Sequence, residues 1–333
     1  MIKAIIVLMC CVLIIGCNST NRPNTYSDNT RPITNNISTN IISTNIIGET
    51  MITNYIQTKQ QLLVYKNNNW KMVADTAWLL TDKIGNSTDE MNKYILSRKN
   101  QGFNTIITSP NGSWFDKSVS KPNMVLINNF DKFLKIIEKE NMFIVLSIQM
   151  HQYKNGIPIS IIPQSEAILF GQFWGERYAN NPSIAFYMIG GLDDKGVVPN
   201  TVIMNQALGV RQKDKNHLIT FHPRANYTTL DAFPISDVHQ IALYQSYHTY
   251  DYVTLEQKMN QIKKSGVPFT NIEMAFDEEG NIGETEITKL TTATAKWNVF
   301  GYAYGNHYVW QFDPQWKNHL NTKGVQSFLR LIK

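Results

Sequence analysis

The chain has almost no cysteine. Of its 333 residues three are cysteine, namely Cys10, Cys11 and Cys17. No disulfide can therefore brace anything beyond residue 17, and whatever folds must hold by its apolar core. Long apolar runs are also lacking. Ala4–Ile15 is unbroken but falls short of the roughly 20 residues that cross a bilayer. Charge of one sign is scarce as well: 31 Lys and Arg against 26 Asp and Glu, with no basic block. The clustered footprint of a nucleic-acid binder is absent. No His-Glu-X-X-His or Gly-X-Ser-X-Gly pattern occurs, which argues against a zinc protease and a serine hydrolase of the nucleophile-elbow kind. No cofactor is expected.

The amino terminus has a pattern of its own. Met1-Ile2-Lys3 and the apolar run have the size of a signal-peptide core. The run ends in Leu13-Ile14-Ile15-Gly16-Cys17, which resembles the bacterial lipobox, and Asn18-Ser19-Thr20 breaks the apolarity at once. Cleavage before Cys17 and lipidation of that cysteine are expected, with residues 1–16 as the signal peptide. Asn18 in place of Asp beside the cysteine implies sorting to an outer membrane, with membrane contact through the lipid alone. In residues 18–50, 19 of 33 are Asn, Thr or Ser, and Ser38-Thr39-Asn40-Ile41-Ile42 repeats as Ser43-Thr44-Asn45-Ile46-Ile47. Residues 17–55 are therefore expected to be a disordered spacer.

From residue 56 to 333 the chain alternates. Strand-like runs occupy Met72–Trp78, Thr105–Ser109, Phe143–Gln149, Ile184–Gly191, His217–Pro223, Ile241–His248, Val267–Phe276 and Tyr302–Phe312. Helical periods fill most gaps, at Thr88–Asn100, Phe130–Glu140, Glu166–Ala179, Thr201–Gln212, Leu255–Lys264, Glu284–Val299 and Val325–Ile332. Residues 225–240 have little period. Eight such units predict an α/β fold, a (β/α)8 TIM barrel in a single globular domain. A doubly wound sheet would carry a Gly-rich turn after its first strand; the turn here reads Leu79-Leu80-Thr81-Asp82.

Barrel chemistry sits at the C-terminal strand ends. Those ends supply Asp75 and Trp78, His151, Asp193 and Asp194, His222 and Arg224, Gln245 and His248, Glu273, then Asn306, His307 and Trp310. Carboxylates after the fourth and seventh strands suit glycoside hydrolysis, which needs one acid and one nucleophile or base. The aromatic, His, Asn and Gln residues suit sugars, with their hydroxyls and apolar C–H faces. The structural alternative for Glu273 is a buried pair with Arg224. The four rim histidines (His151, His222, His248, His307) lack metal-ligand spacing and read as hydrogen-bonding groups.

Several stretches resemble the apiosidase-like glycoside hydrolase family. They are Val73-Ala74-Asp75-Thr76-Ala77-Trp78, Arg98–Asn104, Phe173-Trp174-Gly175-Glu176-Arg177-Tyr178, His222-Pro223-Arg224, Gln245-Ser246-Tyr247-His248 and Tyr304-Gly305-Asn306-His307 with Trp310. The resemblance runs from about Leu62 to Phe312. It implies a (β/α)8 carbohydrate-active enzyme with Glu273 as nucleophile and an Asp acid/base after strand four. The family pattern Gly-Gly-Asp appears here as Gly190-Gly191-Leu192-Asp193, which moves the acid to Asp193 or removes it. The expectation is thus a surface-anchored, retaining glycoside hydrolase acting as a monomer. Asp75, Trp78, His151, His222, Arg224, Gln245, His248, Asn306, His307 and Trp310 would hold the carbohydrate. The alternative, prompted by Leu192, is a non-catalytic glycan-binding lipoprotein.

Overall fold

The computed structural model describes residues 53–333 apart from 86, 155–156, 161, 193–197 and 248–251. The signal segment, Cys17 and the spacer up to residue 52 lie outside the described residues. Eight strands build the core of the domain: β1 Met72–Thr76, β2 Thr105–Thr108, β3 Phe143–Ile148, β4 Ile184–Ile189, β5 Leu218–Phe221, β6 Ala242–Gln245, β7 Phe269–Glu273 and β8 Gly301–Asn306. They run parallel from β1 to β5, β6 pairs with β7, and β8 returns to β1 with Gly301 opposite Met72. This is the (β/α)8 barrel expected from the alternation.

Two seams lack a regular ladder, and buried threonines bridge both. Between β5 and β6, Thr220 Oγ1 donates to the Ile241 carbonyl at 2.6 Å. Between β7 and β8, Thr270 Oγ1 donates to the Gly301 carbonyl at 2.5 Å. Each hydroxyl gives a backbone carbonyl a donor across its seam.

Helices α1 Thr88–Gln101, α2 Met124–Lys139, α3 Ala167–Tyr178, α4 Asn200–Lys213, α5 Tyr252–Lys263, α6 Glu284–Ala295 and α7 Lys323–Ile332 accompany the strands. Only a turn of 3-10 helix, Thr229–Asp231, follows β5, as the weak period there suggested. The helix ends have local causes. Ser87 accepts from the Glu90 amide and Gly102 closes α1 in the left-handed region. Helix α2 begins earlier than its apolar period because Asn123 caps the Val125 and Leu126 amides, while Met124 and Val125 face solvent. The last strand is shorter than its apolar run. Asn306 Oδ1 accepts from the Tyr308 and Val309 amides and starts a helical turn, His307–Trp310.

Two apolar clusters follow the period of two along each strand. Ile106, Leu146, Tyr187, Phe221 and Tyr304 face the helices. Met72, Ala74, Val145, Met188, Leu243 and Ile272 fill the barrel. Not foreseen in the sequence were three short antiparallel strands, Gln57–Lys59, Leu62–Tyr65 and Asn68–Trp70, ahead of β1. Leu63 and Trp70 join the interior cluster, and Tyr65 and Trp70 meet Phe143 at the start of β3 edge-to-face. This sheet stoppers the N-terminal end of the barrel, so the interior opens at the other end.

Helices α3 and α4 cross backbone to backbone. A Cβ on Gly171 would lie 2.0 Å from the Gln206 carbonyl oxygen, and one on Gly209 would lie 2.2 Å from that of Ile168. Neither carbonyl is free to move, since each belongs to a helix. Gly171→Ala is expected to force the pair apart at a cost of about 1–3 kcal/mol, read as a lower midpoint in thermal unfolding.

Candidate active site

The open end holds a cleft of about 970 Å³. Its walls come from the C-terminal ends of nearly every strand: Trp78 and Asp82 after β1, Ser109 and Asn111 after β2, Ser147 and Gln149 from β3. His222, Arg224 and Tyr227 follow β5, Gln245 and Tyr247 come from β6, Glu273 and Phe276 from β7, and Trp310 from beyond β8. Aromatic rings and hydrogen-bonding groups alternate around it.

Glu273 lies in this cleft and is 6 % exposed. Its carboxylate receives three side-chain donors. Gln245 Nε2 donates to Oε2 at 2.6 Å, His222 Nε2 to the same oxygen at 3.2 Å, and Trp78 Nε1 to Oε1 at 3.3 Å. The indole of Trp78 also meets His222 edge-on, with centroids 5.4 Å apart. Hydrogen bonds to a charged acceptor are worth about 1.5–3 kcal/mol each. The set fixes one oxygen firmly and leaves Oε1 with a single long bond.

A bulge places Glu273 there. Along β7, Phe269 faces the helices and Ile272 the barrel interior, so strict alternation would turn residue 273 outward. The β6–β7 register shifts instead, with Tyr244 opposite Asn271 but Gln245 opposite Glu273. The extra residue re-aims the carboxylate inward. The main chain is pinned at the same point: the Ser246 amide donates to the Glu273 carbonyl at 3.0 Å, and Ser246 Oγ donates to the Met274 carbonyl at 3.1 Å.

Of the residues singled out from the sequence, Trp78, His222, Arg224, Gln245, Glu273 and Trp310 meet in this cleft. Arg224 does not pair with Glu273; its guanidinium lies over the Tyr227 ring, 3.5 Å from the centroid. Four residues expected to touch sugar lie elsewhere. Asp75 points to the helix layer, fully buried, where Oδ2 accepts from Arg98 Nε at 2.7 Å and from the Tyr94 hydroxyl at 2.6 Å. Burial pushes its carboxyl up while Arg98 and Tyr94 pull it down. The period of two explains the error: Met72 and Ala74 face inward, so Asp75 cannot. Asn306 fails for the same reason, following the outward Tyr302 and Tyr304, and its amide serves the cap and Glu278. His307 sits on the rim 3.9 Å from Glu279, and His151 is buried outside the lining. Asp193, Asp194 and His248 lie outside the described residues.

Asp82, Ser109, Asn111, Ser113, Ser147 and Tyr227 were not foreseen as cleft residues. For Ser147 a signal existed, because it continues the inward series Phe143 and Val145. For Asp82 there was none, because it stands on a short helix, Leu80–Ile84, rather than at a strand end. Among the described residues no three His, Cys, Asp or Glu side chains are placed to share a metal ion. No described helix is long and apolar enough to cross a membrane.

The profile of the apiosidase-like catalytic domain matches residues 57–332. The chain belongs to that family. No curated protein sequence matches it. Among solved structures, a glycoside hydrolase family 5 protein from Bacteroides vulgatus is similar at 20 % identity, over 82 % of this chain and 69 % of its own, with a TM-score of 0.68. A structure described as a glycoside hydrolase aligns at 19 % identity over 84 % and 74 %, with a TM-score of 0.70. A glycoside hydrolase family 5 mannosidase from Rhizomucor miehei aligns at 11 % identity over 84 % and 97 %, at 0.62. At these identities the likenesses establish the barrel of the apiosidase-like domain and nothing finer.

Proposed function

We propose that this apiosidase-like domain is a retaining glycoside hydrolase with Glu273 as nucleophile. The observation that carries the reading is a buried carboxylate in a sugar-sized cleft, held by three donors and aimed inward by a bulge. Oε1 of Glu273 attacks the anomeric carbon while an acid protonates the departing oxygen, giving a glycosyl ester and a free hydroxyl. Water, deprotonated by the same acid now acting as base, then displaces Glu273 and restores both groups. The acid is assigned to Asp193. Leu192, which stands where the family has its Asp, packs against the helix-side core, so the role passes to the next carboxylate. His222 and Gln245 orient Glu273, and Trp78, Tyr247 and Trp310 offer faces to sugar rings.

The test is digestion of a broad panel of plant, bacterial and host glycans by the full chain in detergent, followed by new reducing ends. Release by the parent and none by Asp193→Asn supports the scheme. Full activity in Asp193→Asn with loss in Asp194→Asn would move the acid by one residue. Binding without cleavage by any preparation would favour the glycan-binding alternative.

Surface anchoring belongs to the same reading. It rests on the lipobox-like stretch ending at Cys17, with residues 18–50 as the leash. Cys17→Ser in the producing bacterium should shift the protein from the membrane fraction to the soluble fraction without altering its melting temperature. Retention in membranes would contradict the anchor.

A further inference from the structure

The cleft contains a second described carboxyl group that the scheme above does not use. Asp82 lines the same space as Glu273, four residues beyond Trp78, whose indole donates to Glu273. One of its oxygens is committed: Oδ1 accepts from the buried indole Nε1 of Trp114 at 2.6 Å. Beside it on the β1–β2 wall stands Asn111, whose Oδ1 is occupied by the amide and hydroxyl of Ser113 at 2.9 and 2.5 Å. No cation pairs with Asp82 at ion-pair distance among the described residues; the Asn111 side-chain amide donates to it, and the ammonium of Lys83 acts on it more remotely. A half-buried carboxyl group without an ion pair carries a desolvation cost. That cost pushes Asp82 above the ordinary carboxylate range, against the pull of the Trp114 indole. Satisfying the Trp114 N–H needs only a neutral carbonyl, so the charge serves something else.

We propose that Asp82, with Asn111 and Ser113 beside it, forms a sugar-binding subsite on the β1–β2 wall in which the Asp82 carboxylate accepts hydrogen bonds from hydroxyls of the ring next to the one at Glu273. The inference rests on the reading of the cleft as a glycan site and adds which wall selects the neighbouring residue. A carboxylate with one oxygen locked by an indole is a rigid acceptor, and a hydroxyl pair on a neutral sugar offers the matching donors. A ring bearing its own anion at that place would be repelled. The opposite wall, with Arg224 laid on Tyr227, has the reverse sign. The two ends of the cleft thus differ in what they accept.

The experiment is binding of the full chain, carrying Glu273→Gln so that nothing is cleaved, to a printed array of neutral and acidic oligosaccharides, with and without Asp82→Asn. Asparagine keeps a carbonyl for Trp114, so the fold is retained. Because the folded carboxyl is raised, its charged form is disfavoured in the native state above that range, and Asp82→Asn at neutral pH should melt at or above the temperature of its parent. Binding of neutral glycans should fall about ten-fold, the loss of one hydrogen bond to a charged acceptor. Equal binding with and without Asp82→Asn would leave Asp82 as a partner of Trp114 alone and overturn the subsite. If the Glu273→Gln chain bound no glycan, the reading of the cleft would fall, and the subsite with it.

Discussion

Glu273→Gln is expected to reduce glycan hydrolysis by on the order of 10⁴-fold or more, with the fold unchanged. An amide of the same shape cannot form the glycosyl ester, and the loss falls on the chemical step. The surroundings tolerate the exchange. The amide oxygen, placed where Oε2 now stands, still accepts from Gln245 Nε2 and His222 Nε2. Its NH2 then faces the Trp78 Nε1–H, a donor against a donor, across a contact already 3.3 Å long. The penalty is a fraction of one hydrogen bond, so the melting temperature should move by no more than a few degrees. Steady-state kinetics on a cleaved glycan and circular dichroism melts of both proteins check the two halves. A variant that kept parental kcat would remove the nucleophile assignment.

The largest effect on stability is expected from Asp75→Ala. Asp75 and Arg98 are both fully buried, and Asp75 also anchors Tyr94, so one carboxylate ties β1 to α1. Arg98 donates further to Gln101 Oε1 and the Leu320 carbonyl and lies over the Phe103 ring. Removing Asp75 leaves a guanidinium buried without its counter-charge. Breaking such a pair costs about 3–5 kcal/mol, roughly 10 °C in a domain of this size. Asp75→Asn, which keeps an acceptor, should lose less. Glycan binding well below the melting temperature should be unaffected by either change. A substitution that weakened binding but not stability would return Asp75 to the cleft.

These residues also show what could be read from the sequence. The eight strands, the helices and the barrel were legible because buried parallel strands are continuous apolar runs and the helices carry a period of 3.6. The small sheet before β1 was not, since strands of three or four residues such as Gln57–Lys59 give no period to detect. At the mouth, membership of a strand end was legible and the facing was not always followed. Counting by two from Met72 and Ala74 would have excluded Asp75, and counting from Tyr302 and Tyr304 would have excluded Asn306. The same count applied to β7 would have excluded Glu273. That residue was singled out by its strand-end position and given its role by the family resemblance, and only the bulge opposite Gln245 reconciles it with the pleat. Asp82 was invisible because its place depends on a one-turn helix and on Trp114, which is remote in sequence and near in space.

The most direct measurement is capture of the glycosyl intermediate. The full chain in detergent would be incubated with a series of 2-deoxy-2-fluoro glycosides bearing good leaving groups, then weighed intact and mapped by peptide. Gain of one fluoro-sugar, located on Glu273 itself by fragmentation of its peptide, is the predicted result. Turnover of a glycan with no adduct formed, or an adduct on Glu278 or Glu279 instead, would contradict the assignment of Glu273 as the nucleophile.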